Sequence, residues 1–326
     1  MQIEMIVSSY VVFYVTQETK WPQWPPPKAV KSLPSRHDPG RFGGCNLSLL
    51  APLRRDKCSL TLDLLEMSPT QATILEQQAA LQASGEAARV LLKALPKGDE
   101  ELCISKKADG SLVSSADLAS QQAIQACLQG TGAPILSEEA AAPPFEARRH
   151  WSRYWLVDPL DGTESFLKSR SGFAVNIALC DSTGPIFGVV ADPLANRMYL
   201  GGVGVPVQVA PLDASTVKPL HPSPIQRPYR LVTSWVEEAK LQDLVPPHID
   251  PTDVVSRPVS GALKFCQLAT GDAEIHARTG PYMEWDCAAG DAILRGMDID
   301  VVDLLGHRLK YNSESLRVHG LRCSRV

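Results

Sequence analysis

An apolar triplet, Trp155-Leu156-Val157, runs directly into Asp158-Pro159-Leu160-Asp161-Gly162-Thr163. The triplet has strand character, and two acids three residues apart follow at its end. Pro159 fixes the backbone between them and Gly162 permits a tight bend, after which Glu164, Ser165 and Phe166 read as the start of a short helix. If the two carboxylates converge to ~4 Å, they repel by about 4 kcal/mol at an effective dielectric of 20. A fold that brings them together needs compensating charge, and a hard divalent cation bound by oxygen ligands can supply it. Gly162 and Thr163 would place free amides at a helix start, where a phosphate is favoured. The competing reading is a solvated surface turn, since Asp-Gly is a common turn dipeptide. Spacing excludes two other motifs. A calcium EF-hand loop needs acids at alternate positions, and the D-x-D-G-T of aspartyl-phosphate hydrolases is one residue shorter.

Three other places carry acids in similar settings. Glu138-Glu139 follows the apolar Pro134-Ile135-Leu136, so an acidic pair again closes a strand. Glu284-Trp285-Asp286 precedes a small-residue helix, Cys287 to Leu294, where Asp286 reads equally well as an N-cap. Asp117 reads as a first-turn acid of a helix running to Leu128 and ending at Gly130. Each has a bland explanation alone; together they form a set.

The rest of the chain frames this set. With 326 residues, 44% hydrophobic and 21% charged, it has the composition of a globular protein with room for two core-bearing units. A net charge of -4 gives no broad basic surface, so neither a nucleic-acid polymer nor a membrane is expected as partner, and a small anion needs a local cationic device. None of the eight cysteines forms a C-x-x-C pair, and buried reduced thiols are expected. The apolar stretch Ile6 to Val15 is too short to span a bilayer.

Residues 1–66, with the run Trp21 to Pro27, read as an irregular extension, either a mis-start ahead of Met67 or a targeting segment. Ser68-Pro69 then reads as a helix cap and first-turn proline, with Ala72, Leu75, Ala79, Ala83, Ala87, Val90 and Leu91 at helical spacing. A turn is expected at Ala108-Asp109-Gly110. Strands are expected over Ala174 to Leu179, Ile186 to Val190, Arg197 to Leu200, Leu231-Val232 and Ala273 to His276, and a helix over Leu263 to Thr270. The proline-rich stretch Pro206 to Pro228 reads as a connection between an N-terminal subdomain, residues 67–210, and a C-terminal one, residues 211–326.

Lys107 to Asp117, Glu138-Glu139, Asp158 to Thr163 and Trp285-Asp286 resemble, in this order, the motifs of the lithium-sensitive, metal-dependent phosphatases of the inositol monophosphatase superfamily. Phe173 to Leu179, Leu263-Lys264-Phe265-Cys266 and Gly280 to Asp286 look most like its 3′(2′),5′-bisphosphate nucleotidase branch. The resemblance runs from about Ser68 to the C-terminus. It implies an α+β fold, the layered αβαβα sandwich with the site between two subdomains.

It also implies roles. Glu138, Asp158, Asp161 and the Leu160 carbonyl would ligate magnesium, and Asp286 would join Asp158 and Asp161 at a second ion. Asp117 would pair with Thr163 to orient and deprotonate the attacking water, and would touch a third ion, giving two or three Mg²⁺ in all. Gly162, Thr163, Lys264 and Arg278 would contact the phosphorylated substrate, although solvated surface positions explain Lys264 and Arg278 equally well. The implied reaction is hydrolysis of 3′-phosphoadenosine 5′-phosphate, a by-product of sulfate assimilation; an inositol or sugar phosphate is the alternative substrate, and a non-catalytic metal- or nucleotide-binding regulator the alternative role. The branch's Ser-Arg-Ser-His run is replaced by Thr233-Ser234-Trp235-Val236, and its Gly-Ser-Ser by Ser260-Gly261-Ala262, which removes polar groups expected at the substrate. A cytoplasmic setting is expected, with plastid import as the competitor, and a homodimer is left open.

Overall fold

The computed structural model describes residues 71–95, 104–106, 112–234, 241–280 and 282–326. The extension 1–66, the Ser68-Pro69 cap and the turn at Ala108-Asp109-Gly110 lie outside them. In chain order the elements begin with α1 (Ile74–Ala94), β1 (Ile104–Lys106), β2 (Leu112–Ser114), α2 (Ser115–Leu128), β3 (Ile135–Ser137), α3 (Phe145–Arg148) and β4 (Arg153–Asp161). Then come α4 (Thr163–Lys168), β5 (Ala174–Asp181), β6 (Gly184–Asp192), β7 (Arg197–Gly202), β8 (Val205–Ala210), β9 (Lys218–Pro219), β10 (Tyr229–Thr233) and α5 (Leu241–Leu244). The chain finishes with β11 (Val254–Pro258), α6 (Leu263–Thr270), β12 (Ile275–Arg278), β13 (Tyr282–Met283), α7 (Glu284–Arg295), β14 (Arg317–Val318) and β15 (Leu321–Ser324).

Strands β3 to β9 form a seven-stranded sheet in sequence order, and β11-β10-β12-β15 form a four-stranded one. Alternation along β4 sorts its side chains to two cores. Trp155 and Val157 pack with Ala83, Ala87 and Leu91 of α1 and Ile124 of α2. Tyr154 and Leu156 pack on the other face with Phe265 of α6 and Ala288 and Ile293 of α7. The smaller sheet lies beyond α6, and its far side closes over Leu244, Val245 and Ile249, using Leu231, Val254 and Ile275. The order helices, sheet, helices, sheet, short helix is the αβαβα sandwich. No described helix is long and apolar enough to cross a membrane.

Several local expectations change. The cap of α1 is Thr73, whose side chain accepts from the Glu76 amide while Glu76 reaches back to the Thr73 amide. The buried face of α1 is Ala80, Ala83, Ala87, Ala88 and Leu91, while Leu75 points to solvent. After α2 a short 3₁₀ turn follows, and Gly132, not Gly130, takes the left-handed conformation. The Pro206–Pro228 stretch is not only a connection, since its first part supplies most of β8 and then β9, which with Pro219 forms the edge of the large sheet. Proline lacks an N–H to donate, so an edge is where a sheet tolerates it. Helix α7 also begins three residues before the expected Cys287, which puts Asp286 inside the helix.

Candidate metal centre

The register of β4 against β5 passes from Asp158 opposite Asn176 to Asp161 opposite Ala174, so three steps on one strand face two on the other. This β-bulge reverses the alternation of side chains. Leu160 therefore joins Trp155 and Val157 in the core under α1 and α2. In a regular strand, acids three residues apart would face opposite sides of the sheet. Here Asp161 shares the face of Asp158. The bulge is pinned at both carbonyls, since Ser120 Oγ donates to Pro159 O at 2.7 Å and Thr163 Oγ1 to Leu160 O at 3.2 Å. The Leu160 amide donates to Asp158 Oδ1 at 3.0 Å.

Glu138 follows β3, where its amide donates to Val157 O at 3.1 Å. Asp286 is the third residue of α7 and accepts from the Met283 amide at 2.8 Å, so it closes the helix start from within rather than capping it. One oxygen each of Glu138, Asp158 and Asp286 lie within 4.8 Å of one another. Burial, then the neighbouring charges, pushes the Asp158 carboxyl well above its ordinary value, and burial followed by repulsion from Asp161 raises Asp286 to about 8. An all-oxygen donor set with this much unrelieved repulsion fits a hard divalent cation.

Asp161 stands beside this trio. Its Oδ2 accepts from the Ala262 amide and from Asn176 Nδ2, the latter at 3.1 Å. Gly261 is required here, because it takes φ +57° and a Cβ would come to 2.6 Å from Asp161 Oδ2. Asp117, the third residue of α2, accepts from the Ser114 amide at 2.8 Å and Ser114 Oγ at 2.5 Å. Its other oxygen accepts from Thr163 Oγ1 at 3.1 Å. Gly162, at φ +89°, turns the chain from the bulge into α4. The first turns of α2, α4, α6 and α7 thus converge on the acids, and helix N-termini favour negative charge.

The solvated reading of Lys264 is overturned, since only 1% of it is exposed. Its Nζ donates to Val259 O at 3.2 Å, and burial lowers its pKa to about 8 while Asp161 and Asp286 draw it back up. Arg278 stacks on Tyr282, with Cζ 4.2 Å from the ring centroid. Sequence reasoning missed Asn176, Ser120 and the Ala262 amide. Asn176 had a signal, being a lone amide in the apolar run Ala174 to Leu179. A backbone amide that reaches an acid from far along the chain has none.

The inositol monophosphatase family model matches residues 71–322. The 3′(2′),5′-bisphosphate nucleotidase CysQ of Escherichia coli K12 is 36% identical over 230 residues, covering 70% of this chain and 91% of that protein. Among solved structures, CysQ from Bacteroides thetaiotaomicron is 29% identical with a TM-score of 0.65, covering 76% of this chain and 96% of that one. An inositol monophosphatase from Anabaena shares the fold at 20% identity, with a TM-score of 0.58 over 76% of this chain and 89% of its own.

Proposed function

This chain belongs to the inositol monophosphatase family, and from that premise we propose that it hydrolyses 3′-phosphoadenosine 5′-phosphate to AMP and phosphate, using two or three magnesium ions. The observation that carries the reading is the trio Glu138, Asp158 and Asp286, with ligand oxygens within 4.8 Å, beside the Asp117–Thr163 pair. Glu138, Asp158, Asp161, Asp286 and the Leu160 carbonyl would hold the ions, with Asp117 near a third. Bound magnesium supplies charge neutralisation and polarises the phosphoryl oxygens.

The chain's own residues do the remaining work. Asp117 is held by Ser114, so the oxygen facing Thr163 has a fixed direction. Thr163 Oγ1 can take a proton from an attacking water while passing its own to Asp117, which makes the pair a general base. Gly162 and Thr163 present the backbone of the first turn of α4 to the phosphate. Lys264 and Arg278 add positive charge beside the acids, suited to a second phosphate. Placement and neutralisation dominate phosphoryl transfer, so a Cys or Ser nucleophile is not required.

The nucleotide substrate rests on the likeness to CysQ. The inositol- or sugar-phosphate alternative is favoured by one observation, the replacement of hydroxyls by Gly261 and Ala262 where the chain meets Asp161. Phosphate release from 3′-phosphoadenosine 5′-phosphate and from inositol monophosphate, each with magnesium and then with added lithium, separates the readings. Faster release from the nucleotide, suppressed by lithium, is expected. An inert nucleotide beside an active inositol phosphate would transfer the assignment, and inertness of both would favour the non-catalytic regulator. A cytoplasmic setting belongs to the same proposal.

A further inference from the structure

We propose that Arg148, Asn312 and Glu284 form a buried strap that sets the separation of Glu138 and Asp286, and are positioning residues for the magnesium these acids would hold. The inference rests on the metal reading above. Glu138 and Asp286 belong to distant parts of the chain, and the Glu138 charge acts on both Asp158 and Asp286. Without a counter-ion this repulsion drives the two segments apart. Something has to hold them at a distance one cation can bridge.

The strap connects the two segments close to the acids. On one side, Arg148 ends α3, and its Nε donates to Pro143 O at 3.2 Å, in the loop that leads from Glu138. Its Nη1 donates to Asn312 Oδ1 at 2.6 Å and its Nη2 to Glu314 O at 2.9 Å, while Asn312 Nδ2 returns a bond to Arg148 O at 2.7 Å. On the other side, Glu284 opens α7 two residues before Asp286. Its carboxylate accepts from the Asn312 amide at 2.6 Å, the Ser313 amide at 2.9 Å and Ser313 Oγ at 2.5 Å.

Asn312 is the keystone, because its backbone holds α7 and its side chain holds α3. It takes φ +59°, a conformation asparagine adopts more readily than most residues. Arg148 is 2% exposed and Glu284 is fully buried. Truncating one member therefore leaves a buried charge or polar group unpaired. The same hydrogen bonds that satisfy those charges also tie the Glu138 loop to the first turn of α7.

The test is magnesium binding by calorimetry, without substrate, on the full chain and on Asn312→Ala and Glu284→Gln. Asn312→Ala is expected to weaken magnesium binding by roughly 10- to 100-fold, the range seen when an outer partner of a metal ligand is lost. Glu284→Gln keeps the shape of the side chain and carries the same expectation if Asn312→Ala does not fold. Thr73→Ala, a cap substitution in α1, controls for general loss of stability and should leave magnesium affinity unchanged. Half-saturation by magnesium should rise in the strap variants while kcat at saturating magnesium is largely kept. Normal wild-type binding with unchanged affinity in folded strap variants overturns the strap alone. A wild-type chain that takes up no magnesium overturns the metal reading itself, and the strap with it.

Discussion

Asp161 shows how one side chain can serve two structures. One oxygen is committed to the Ala262 amide and Asn176, which fixes the carboxylate on the face it shares with Asp158. Its charge then acts on Asp158, Asp286 and Lys264 at once. Asp161→Asn keeps the size of the group and removes the charge, so activity with magnesium should fall by roughly 10² or more, beyond what loss of an outer partner costs. Assaying phosphate release over a magnesium titration checks this, and near-normal turnover at moderate magnesium would remove Asp161 from the ligand set. Lys264 makes a related point. From sequence it reads equally as a substrate contact and as a solvated residue, and only burial separates a solvated lysine from one held against two acids.

The β4 bulge is the element on which the site depends. A spacing of three cannot put two acids on one face of a regular strand, and the extra residue is what allows it. Ser120 of α2 pins that extra residue through Pro159 O. Ser120→Ala should leave this buried carbonyl without its partner and cost about 1–3 kcal/mol of stability. Chemical denaturation reads that cost, and an unchanged midpoint would mean that the bulge is held by the β4–β5 ladder alone. Helices α2 and α7 use one device twice. Asp117 and Asp286 both stand third in their helix and reach back to the amide at its start, while Asp117 also meets Thr163 and Asp286 also reaches within 4.8 Å of Glu138 and Asp158. Closing the helix start and belonging to the acid cluster are therefore not alternatives for Asp286, whose position in the first turn of α7 allows both.

For the whole molecule, the buried acids make metal-free stability depend on pH. Asp286 titrates at about 8 in the folded chain against an ordinary value of 3.8, and Asp158 is displaced the same way. A raised folded pKa means that the folded chain holds protons the unfolded chain releases. Its contribution to stability is full below the unfolded value and is lost as pH rises through the folded one. The metal-free protein should therefore lose stability between about pH 4 and pH 8 from this source. Magnesium needs the deprotonated carboxylates, so its binding should strengthen, and its stabilisation of the fold grow, over the upper part of that range. Thermal unfolding with and without magnesium at about pH 6 and pH 8 measures this, with the larger rise in Tm expected at pH 8. Equal rises would show that these protons are not displaced by the metal.

Local patterning carried the strands from Ala174 to Leu200, the helix Leu263–Thr270 and the identity of the acids. Alternation, small-residue runs and an apolar strand ending in carboxylates are properties of neighbours in sequence, and neighbours suffice to read them. Tertiary structure decided which face Asp161 takes, that β9 with its Pro219 closes the edge of the large sheet, that Lys264 is buried, and that Asn312 joins α3 to α7. Each of these depends on a partner far along the chain, through a bulge register, a sheet edge, a helix packed overhead or a hydrogen bond across the fold. Such partners leave no periodic trace, because the distance between them is set only when the layers close.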